Sequence, residues 1–426
     1  MSTGNRRNVA AGSIGTALEM YDFAVYGFLA PIIGPLFFPS DDRLASLLAA
    51  FAVFAVGYFA RPLGAVLFGH IGDRYGRKTL MAASITLMGV ATFCLALLPT
   101  DAQIGSTAAL LLVICRIAQG LSFGGEYAGS MVFLAEHAPI ARRGAMTAFS
   151  QTSNIAGFLF GSGLCAFISW QLGETEMAAW GWRIPFFFGA VIAVGGLVIR
   201  RFVSEPPVTL RRDRLPVLVV FRDHWRILFR MICLLMMGGV GFYLLFVYVA
   251  AYLREFMHFT TARALEINTL SLIAILLTSI PFAMLSDRIG RKPVLYGVAV
   301  ATLVLGWPLW QLLHHPSFAV VLAGQIGLAL ISAATFAVIP ATIVEMMPAH
   351  IRCSGTSIGY NISLGLFGGT APFVATYLVE RTGDDSTPAY YMMALAVIML
   401  AALRGMKETA GKPLATEPDE DNPRGR

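Results

Sequence analysis

The sequence predicts an all-α membrane protein of twelve transmembrane helices, arranged as two pseudo-symmetric halves of six. Three observations carry this reading. Of 426 residues, 57% are hydrophobic and only 13% charged, with mean hydropathy +0.69. A soluble domain carries about 25% charge, so the natural solvent of this chain is lipid. Twelve apolar runs approach or exceed the ~20 residues that cross a bilayer as a helix, and none alternates as a barrel strand does. Finally, one polar loop motif occurs once in each half of the chain.

The runs fall at 9–37, 45–70, 79–99, 105–136, 145–172, 183–203, 227–256, 264–286, 293–313, 317–347, 353–380 and 388–405. The first is too long for the apolar region of a secretory signal and contains Glu19 and Asp22, so it reads as a retained span. With both termini cytosolic, the cytosolic segments hold 24 of the 31 Lys and Arg, and the opposite side holds five. That bias orients the chain and accounts for its net charge of +6 without a nucleic-acid partner. A Pro- and Arg-rich stretch, 204–226, falls midway and reads as a cytosolic linker. It separates a first bundle, 1–203, from a second, 227–405, with a short cytosolic tail at 406–426. The five cysteines form no CxxC pair and imply neither a metal site nor a disulfide framework.

The repeat is specific. Gly69-His-Ile-Gly-Asp73-Arg74-Tyr-Gly76-Arg77-Lys78 follows the second span, and Asp287-Arg288-Ile-Gly290-Arg291-Lys292 follows the eighth, 214 residues later. Glu136, Pro139 and Arg143 after the fourth span match Glu345, Pro348 and Arg352 after the tenth, at an offset of 209. Repeated halves of this kind are what transporters rock about a central site.

These loops resemble the signature of the major facilitator superfamily. Within it the chain is similar to the metabolite:proton symporters. The likeness is carried by Leu18-Glu19-Met20-Tyr21-Asp22-Phe23, Phe37-Phe38-Pro39, Arg61-Pro62-Leu63-Gly64, Gln119-Gly120-Leu-Ser-Phe-Gly124-Gly125-Glu126 and Gly181-Trp182-Arg183-Ile184-Pro185-Phe186. The resemblance implies the major facilitator fold and alternating access. It also implies proton-coupled symport of citrate or related acids, 2-oxoglutarate, shikimate, or proline and betaine. The motif aspartates would cap neighbouring helices and the arginines pair across the halves, through contacts worth about 0.3–1 kcal/mol each. Asp73, Arg74, Arg77, Asp287 and Arg291 are then gating residues, or else only a topology signal. Glu136, Arg143, Glu345 and Arg352 read as the matched parts of a clasp. The expected setting is the plasma membrane, or the inner membrane if bacterial, with membrane lipid around a functional monomer that needs no cofactor.

Charges inside spans need a reason, since each costs about 2.5–3.5 kcal/mol at a helix centre on insertion scales. Asp22 follows Glu19 at i+3 on one helix face, with Tyr26 a further turn on. Two carboxylates so placed repel, so one is expected to hold a proton, as a coupling site requires. Arg116 lies near the middle of the fourth span. Its guanidinium fork suits a substrate carboxylate, or else pairs permanently with Asp22 or Glu126. Glu126 is a second proton carrier or a packing group in a glycine-rich crossing. Arg61 sits toward a span end, where snorkelling is cheap and a structural duty suffices.

The second half has softer polar content: Tyr243, Tyr248 and Tyr252, then Gln325, then Tyr360 and Asn361. An aromatic cluster at Tyr248 and Tyr252 would suit a quaternary ammonium, its hydroxyls would suit carboxylates and hydroxyls equally well, and plain packing is the structural alternative. Ser153-Asn154-Ile155 and Met406-Lys407-Glu408-Thr409-Ala410 resemble proline/betaine symporters, whereas Phe367-Gly368-Gly369-Thr370-Ala371-Pro372 looks more like citrate-type members. Candidate substrate ligands are therefore Arg116, Tyr26, Gln119, Asn154, Tyr248, Tyr252, Tyr360 and Asn361. A membrane sensor built on the same fold is the competing class. There is no HExxH, no GxSxG in a setting that suits an enzyme, and no P-loop.

Overall fold

The computed structural model describes residues 17, 20–65, 67, 68, 77–123, 126–201 and 216–414. Among them there is helix and turn but no strand. The twelve spans are labelled here in chain order. In the first half they are α1 (Met20–Phe28 with Ala30–Phe37), α2 (Arg43–Ala65), α3 (Arg77–Leu97), α4 (Thr107–Ser122 with Glu126–His137), α5 (Ile140–Gly181) and α6 (Arg183–Arg201). In the second they are α7 (Trp225–Glu255), α8 (Thr261–Ile289), α9 (Arg291–His314), α10 (Phe318–Met346), α11 (Arg352–Thr382) and α12 (Thr387–Arg404). Eight pass the length and hydropathy test for a membrane helix outright, and α1 passes as a bent pair. The remaining three, α3, α4 and α6, contribute the shorter apolar helices Ala82–Leu97, Thr107–Ser122 and Arg183–Val198. The chain is a multi-pass integral membrane protein.

Local chemistry sets the helix ends. Asp42 accepts the Leu44 backbone N–H at 2.9 Å and starts α2; Thr260 accepts that of Arg263 and starts α8. The run 9–37 is drawn from sequence as one helix, but its described part bends by 67° at Leu29. Pro31, in the first turn beyond the bend, offers no N–H to continue the earlier ladder. Pro281 and Pro340 lie inside continuous helices, while Pro372 starts a fresh helical stretch of α11. Wide π turns interrupt α7 at Leu244–Tyr248 and α11 at Ser363–Gly368. The stretch read as a linker contains a short helix, Pro216–Asp223.

Packing follows the repeat. α3 lies against α6 in one half, and α9 against α12 in the other. The halves meet where α5 packs on α8 and α10, and where α2 and α4 pack on α11. Within the first half, α2 and α4 touch backbone to backbone. A Cβ on Gly120 would lie 2.0 Å from the Gly57 carbonyl oxygen, and one on Gly64 would lie 2.0 Å from that of Leu121. Small residues are what permit such an approach in lipid.

Gly120→Ala is expected to lower the thermal unfolding midpoint of the detergent-solubilised protein through overpacking of about 1–3 kcal/mol or more. Gly195→Ala, where an added Cβ meets nothing within 4 Å, should melt as wild type.

Candidate functional site

Two polar assemblies stand out: a buried network in the first half, and a clasp at the face carrying the Asp287–Lys292 loop.

The buried network is a relay. Arg116 on α4 donates to the Gln119 side-chain oxygen at 2.7 Å, and Gln119 donates to the Thr92 hydroxyl at 2.9 Å. Thr92 on α3 in turn donates to the Asp22 carboxylate on α1 at 2.6 Å. Arg116 and Asp22 are thus joined through two intermediaries rather than by a direct ion pair. The other Asp22 oxygen has no partner among the described residues and faces the backbone of α6, where a Cβ on Gly189 would come within 2.3 Å. Tyr26 lies beside the relay: its hydroxyl donates to the Ala50 carbonyl at 3.1 Å, and the Arg116 guanidinium carbon sits 4.3 Å from its ring centre. Gly57 makes room, since a Cβ there would lie 3.1 Å from Arg116 Nη2. Glu19 lies outside the described residues, as does the side chain of Glu126.

Between the halves lies a small cavity. Asn154, Tyr243 and Tyr360 contribute polar atoms to its walls, and Phe158, Phe242 and Phe336 contribute aromatic ones. Phe242 packs edge-on against both Phe158 and Phe336, with ring centres 4.6 and 5.0 Å apart. Among the described residues, no Asp, Glu, His, Lys or Arg lines this cavity. Asn361 bonds back to Ser357 of its own helix and does not line it. Tyr248 and Tyr252 pack on Trp310 of α9, inside the second half and away from the cavity. Gln119, Arg116 and Tyr26 belong to the relay rather than to the cavity wall.

Sequence reasoning missed Tyr58. Its hydroxyl is hydrogen-bonded to that of Tyr243, joining α2 to α7 across the two halves. Its ring carries the guanidinium of Arg61 at 3.7 Å, and Phe23 and Phe123 enclose the same guanidinium at 4.3 and 3.7 Å.

At the motif face the two pairs of matched residues cross over. Arg143 donates to Glu345 at 3.2 Å, and Arg352 donates to Glu136 at 2.8 Å. Asp287 accepts the backbone N–H groups of Gly144 and Ala145, so it caps the opening turns of α5 from the other half. Arg291 holds this capping carboxylate at 2.9 Å and donates to Glu345 through Nε and Nη2. Gly144 must be glycine, because a Cβ would meet Arg291 Nη1 at 2.4 Å. Gly290, at φ 105°, ends α8 in a conformation that favours glycine. Arg288 is in the same turn. In the first motif copy, Gly69, Asp73, Arg74 and Gly76 lie outside the described residues, as do the side chains of Arg77 and Lys78.

The tail folds onto this clasp. Glu408 accepts the backbone N–H groups of Arg291 and Lys292 at 2.9 and 3.0 Å. Thr409 donates to Glu345 at 2.6 Å, and Arg143 donates to the Lys412 carbonyl at 3.0 Å. Burial raises the Glu408 pKa, but bonds from four backbone N–H groups outweigh it and hold the carboxyl below its ordinary value. On the opposite face the halves are joined by Arg43 and Glu255 at 2.7 Å and by Arg254 and Glu174 at 3.7 Å, each pair with one exposed partner, and Glu174 also accepts the Thr261 hydroxyl at 2.8 Å. An exposed pair is worth about 0–1 kcal/mol, whereas breaking a buried one costs about 3–5 kcal/mol. The motif face is therefore the more firmly shut.

Residues 9–214 match the sugar (and other) transporter family, and residues 263–425 match the major facilitator superfamily. The proline/betaine transporter of Salmonella typhimurium is 38% identical over 96% of this chain and 85% of its own. A glycine betaine/proline/ectoine/pipecolic acid transporter of Dickeya dadantii is 38% identical over 96% and 84%. A putative proline/betaine transporter of Staphylococcus aureus is 34% identical over 99% and 92%. Among solved structures, a D-xylose-proton symporter superposes with a TM-score of 0.75 at 20% identity, covering 97% of this chain and 100% of its own. The inward open xylose transporter XylE from E. coli also scores 0.75, at 18% identity over 95% and 97%. These two likenesses concern the fold alone.

Glu345→Gln should leave the buried guanidiniums of Arg143 and Arg291 without their shared charge. The distance between spectroscopic probes on the motif-face ends of α5 and α10 is expected to lengthen. It should stay at the wild-type value in Glu266→Gln, whose carboxylate meets the exposed Arg263. Because the Glu408 pKa is depressed in the docked tail, docking is favoured above the ordinary carboxylate value and lost as pH falls through the depressed one. Amide exchange over 406–412, corrected for its intrinsic pH dependence, should accelerate only below the ordinary value. In Glu408→Gln it should already be fast at neutral pH.

Proposed function

The chain belongs to the major facilitator superfamily of transporters, and we propose that it is a proton-coupled symporter of a small carboxylate-bearing zwitterion of the proline/betaine type. The relatives at 34–38% identity over nearly the whole chain favour this substrate class over the organic acids. The observation that carries the reading is the combination of a small aromatic cavity between the halves with a buried carboxylate relay inside the first half. The described lining holds no charged side chain of its own, as suits a solute with no net charge. Asp22 is buried among helices, with one oxygen unpartnered among the described residues, and it is the group we assign to the proton.

The cycle is alternating access. The halves are the six-helix bundles 1–203 and 227–405, joined through 204–226. They rock about the cavity between the motif-face clasp and the weaker contacts on the other side. We place the chain as a monomer in the plasma membrane, the inner membrane in a bacterium, with both termini and the motif face in the cytosol.

Purified protein in liposomes should accumulate labelled glycine betaine or proline when an inward proton gradient is imposed, and a protonophore should abolish the accumulation. Asp22→Asn should lose accumulation against a gradient while still exchanging labelled for unlabelled substrate. Gradient-independent uptake by the wild-type chain, or full accumulation by Asp22→Asn, would remove Asp22 from the coupling role.

A further inference from the structure

We infer that the substrate carboxylate is received by the paired hydroxyls of Tyr58 and Tyr243, on a cavity wall made electropositive by Arg61 and Arg116. This rests on the transporter reading above and assigns its anion subsite.

The first support is a charge imbalance. Arg61 is fully buried, and among the described residues none of its three nitrogens has a hydrogen-bond partner. Arg116 is equally buried and has two such nitrogens, Nε and Nη2. The two guanidiniums share the Phe23 ring, at 4.3 and 4.5 Å from its centre. Among the described residues of this half, Asp22 is the one buried carboxylate, and it is held by Thr92. Aromatic faces offset part of the cost of a buried cation but do not replace an anion. Among the described residues the block thus sets two guanidiniums against one carboxylate, an imbalance that a bound carboxylate would offset.

The second support is the route from that charge to the cavity. The Tyr58 ring lies directly on Arg61, and its hydroxyl meets that of Tyr243, which lines the cavity. Two phenols offer two O–H donors, and their mutual bond uses only one. A carboxylate inserted between them would accept both, with the guanidinium field behind. The placement is built into the fold. A Cβ on Gly369 would meet Tyr58 Cγ at 2.4 Å, and one on Gly368 would meet Tyr243 Cδ2 at 3.1 Å. The Phe367-Gly368-Gly369 run of α11 is thus the space that these two rings occupy. Because the phenol pair joins α2 to α7, a carboxylate that takes its place exchanges a contact between the halves for a contact with substrate.

The test measures binding of labelled glycine betaine to the purified full chain, with displacement by choline, which keeps the trimethylammonium group and replaces the carboxylate by a hydroxyl. Tyr58→Phe and Tyr243→Phe should each raise the betaine Kd roughly tenfold, the value of one hydrogen bond to a charged group. Arg61→Gln should weaken betaine binding at least as much, and Arg61→Lys should restore most of it. Choline displacement should be unchanged throughout, and ligand-free melting temperatures will identify folded variants. Equal loss of both ligands, or betaine binding at wild-type strength in the folded Phe variants, overturns the subsite and leaves the transporter reading standing. A wild-type chain that binds neither probe overturns both.

Discussion

The structure depends on two buried guanidiniums that share one phenylalanine ring. Arg61 and Arg116 approach Phe23 from α2 and α4. Placing two like charges so close inside a membrane bundle is unfavourable unless something else is gained. Aromatic side chains of α1 and α2, with Phe123 at the end of the first α4 stretch, enclose the pair, and the relay through Gln119 and Thr92 ties it to Asp22. Glycines at the α2–α4 crossing let the helices close around it. Removing either arginine would leave a cage of rings around an empty site. Removing the rings would leave charge exposed to hydrocarbon.

The halves are held differently at their two ends, and that difference gives the rocking motion a direction. At the motif face, Glu345 is shared by Arg143 from one half and Arg291 from the other, and the tail adds Thr409 to the same carboxylate. Asp287 fastens onto the start of α5. These contacts are buried and mutually dependent, so they release together. The opposite face relies on two described cross-half pairs, Arg43–Glu255 and Arg254–Glu174, each with one exposed partner. Between the two ends, the Tyr58–Tyr243 bond is small enough for a substrate to compete with it.

Much of this was legible in the sequence because membrane solvent makes exceptions conspicuous. A charge in an apolar run demands a reason, which brings out Asp22 and Arg116. The repeated loops and the matched Glu136/Arg352 and Arg143/Glu345 positions fix the pseudo-symmetry. The residues that escaped were ordinary in type or displaced by irregular backbone. Tyr58 is one tyrosine in an apolar helix, and its role depends on glycines of α11 more than 300 positions away. Arg61 is conspicuous, but snorkelling judges a helix alone, and neighbouring helices bring the rings that close over it. Tyr248 and Tyr252 share a face on a regular helix. The π turn at Leu244–Tyr248 rotates the residues beyond it, and both tyrosines pack against α9. The tail looked like a short appendage, yet Glu408 closes the turn that Gly290 opens.

The central claim is that a zwitterion and a proton move together through this fold. The most direct measurement is the external pH of lightly buffered liposomes containing the purified chain, with no gradient imposed, when glycine betaine is added. The account predicts alkalinisation of the medium as protons enter with substrate, saturable in betaine, and absent in Asp22→Asn. Entry of labelled betaine without proton movement would contradict it.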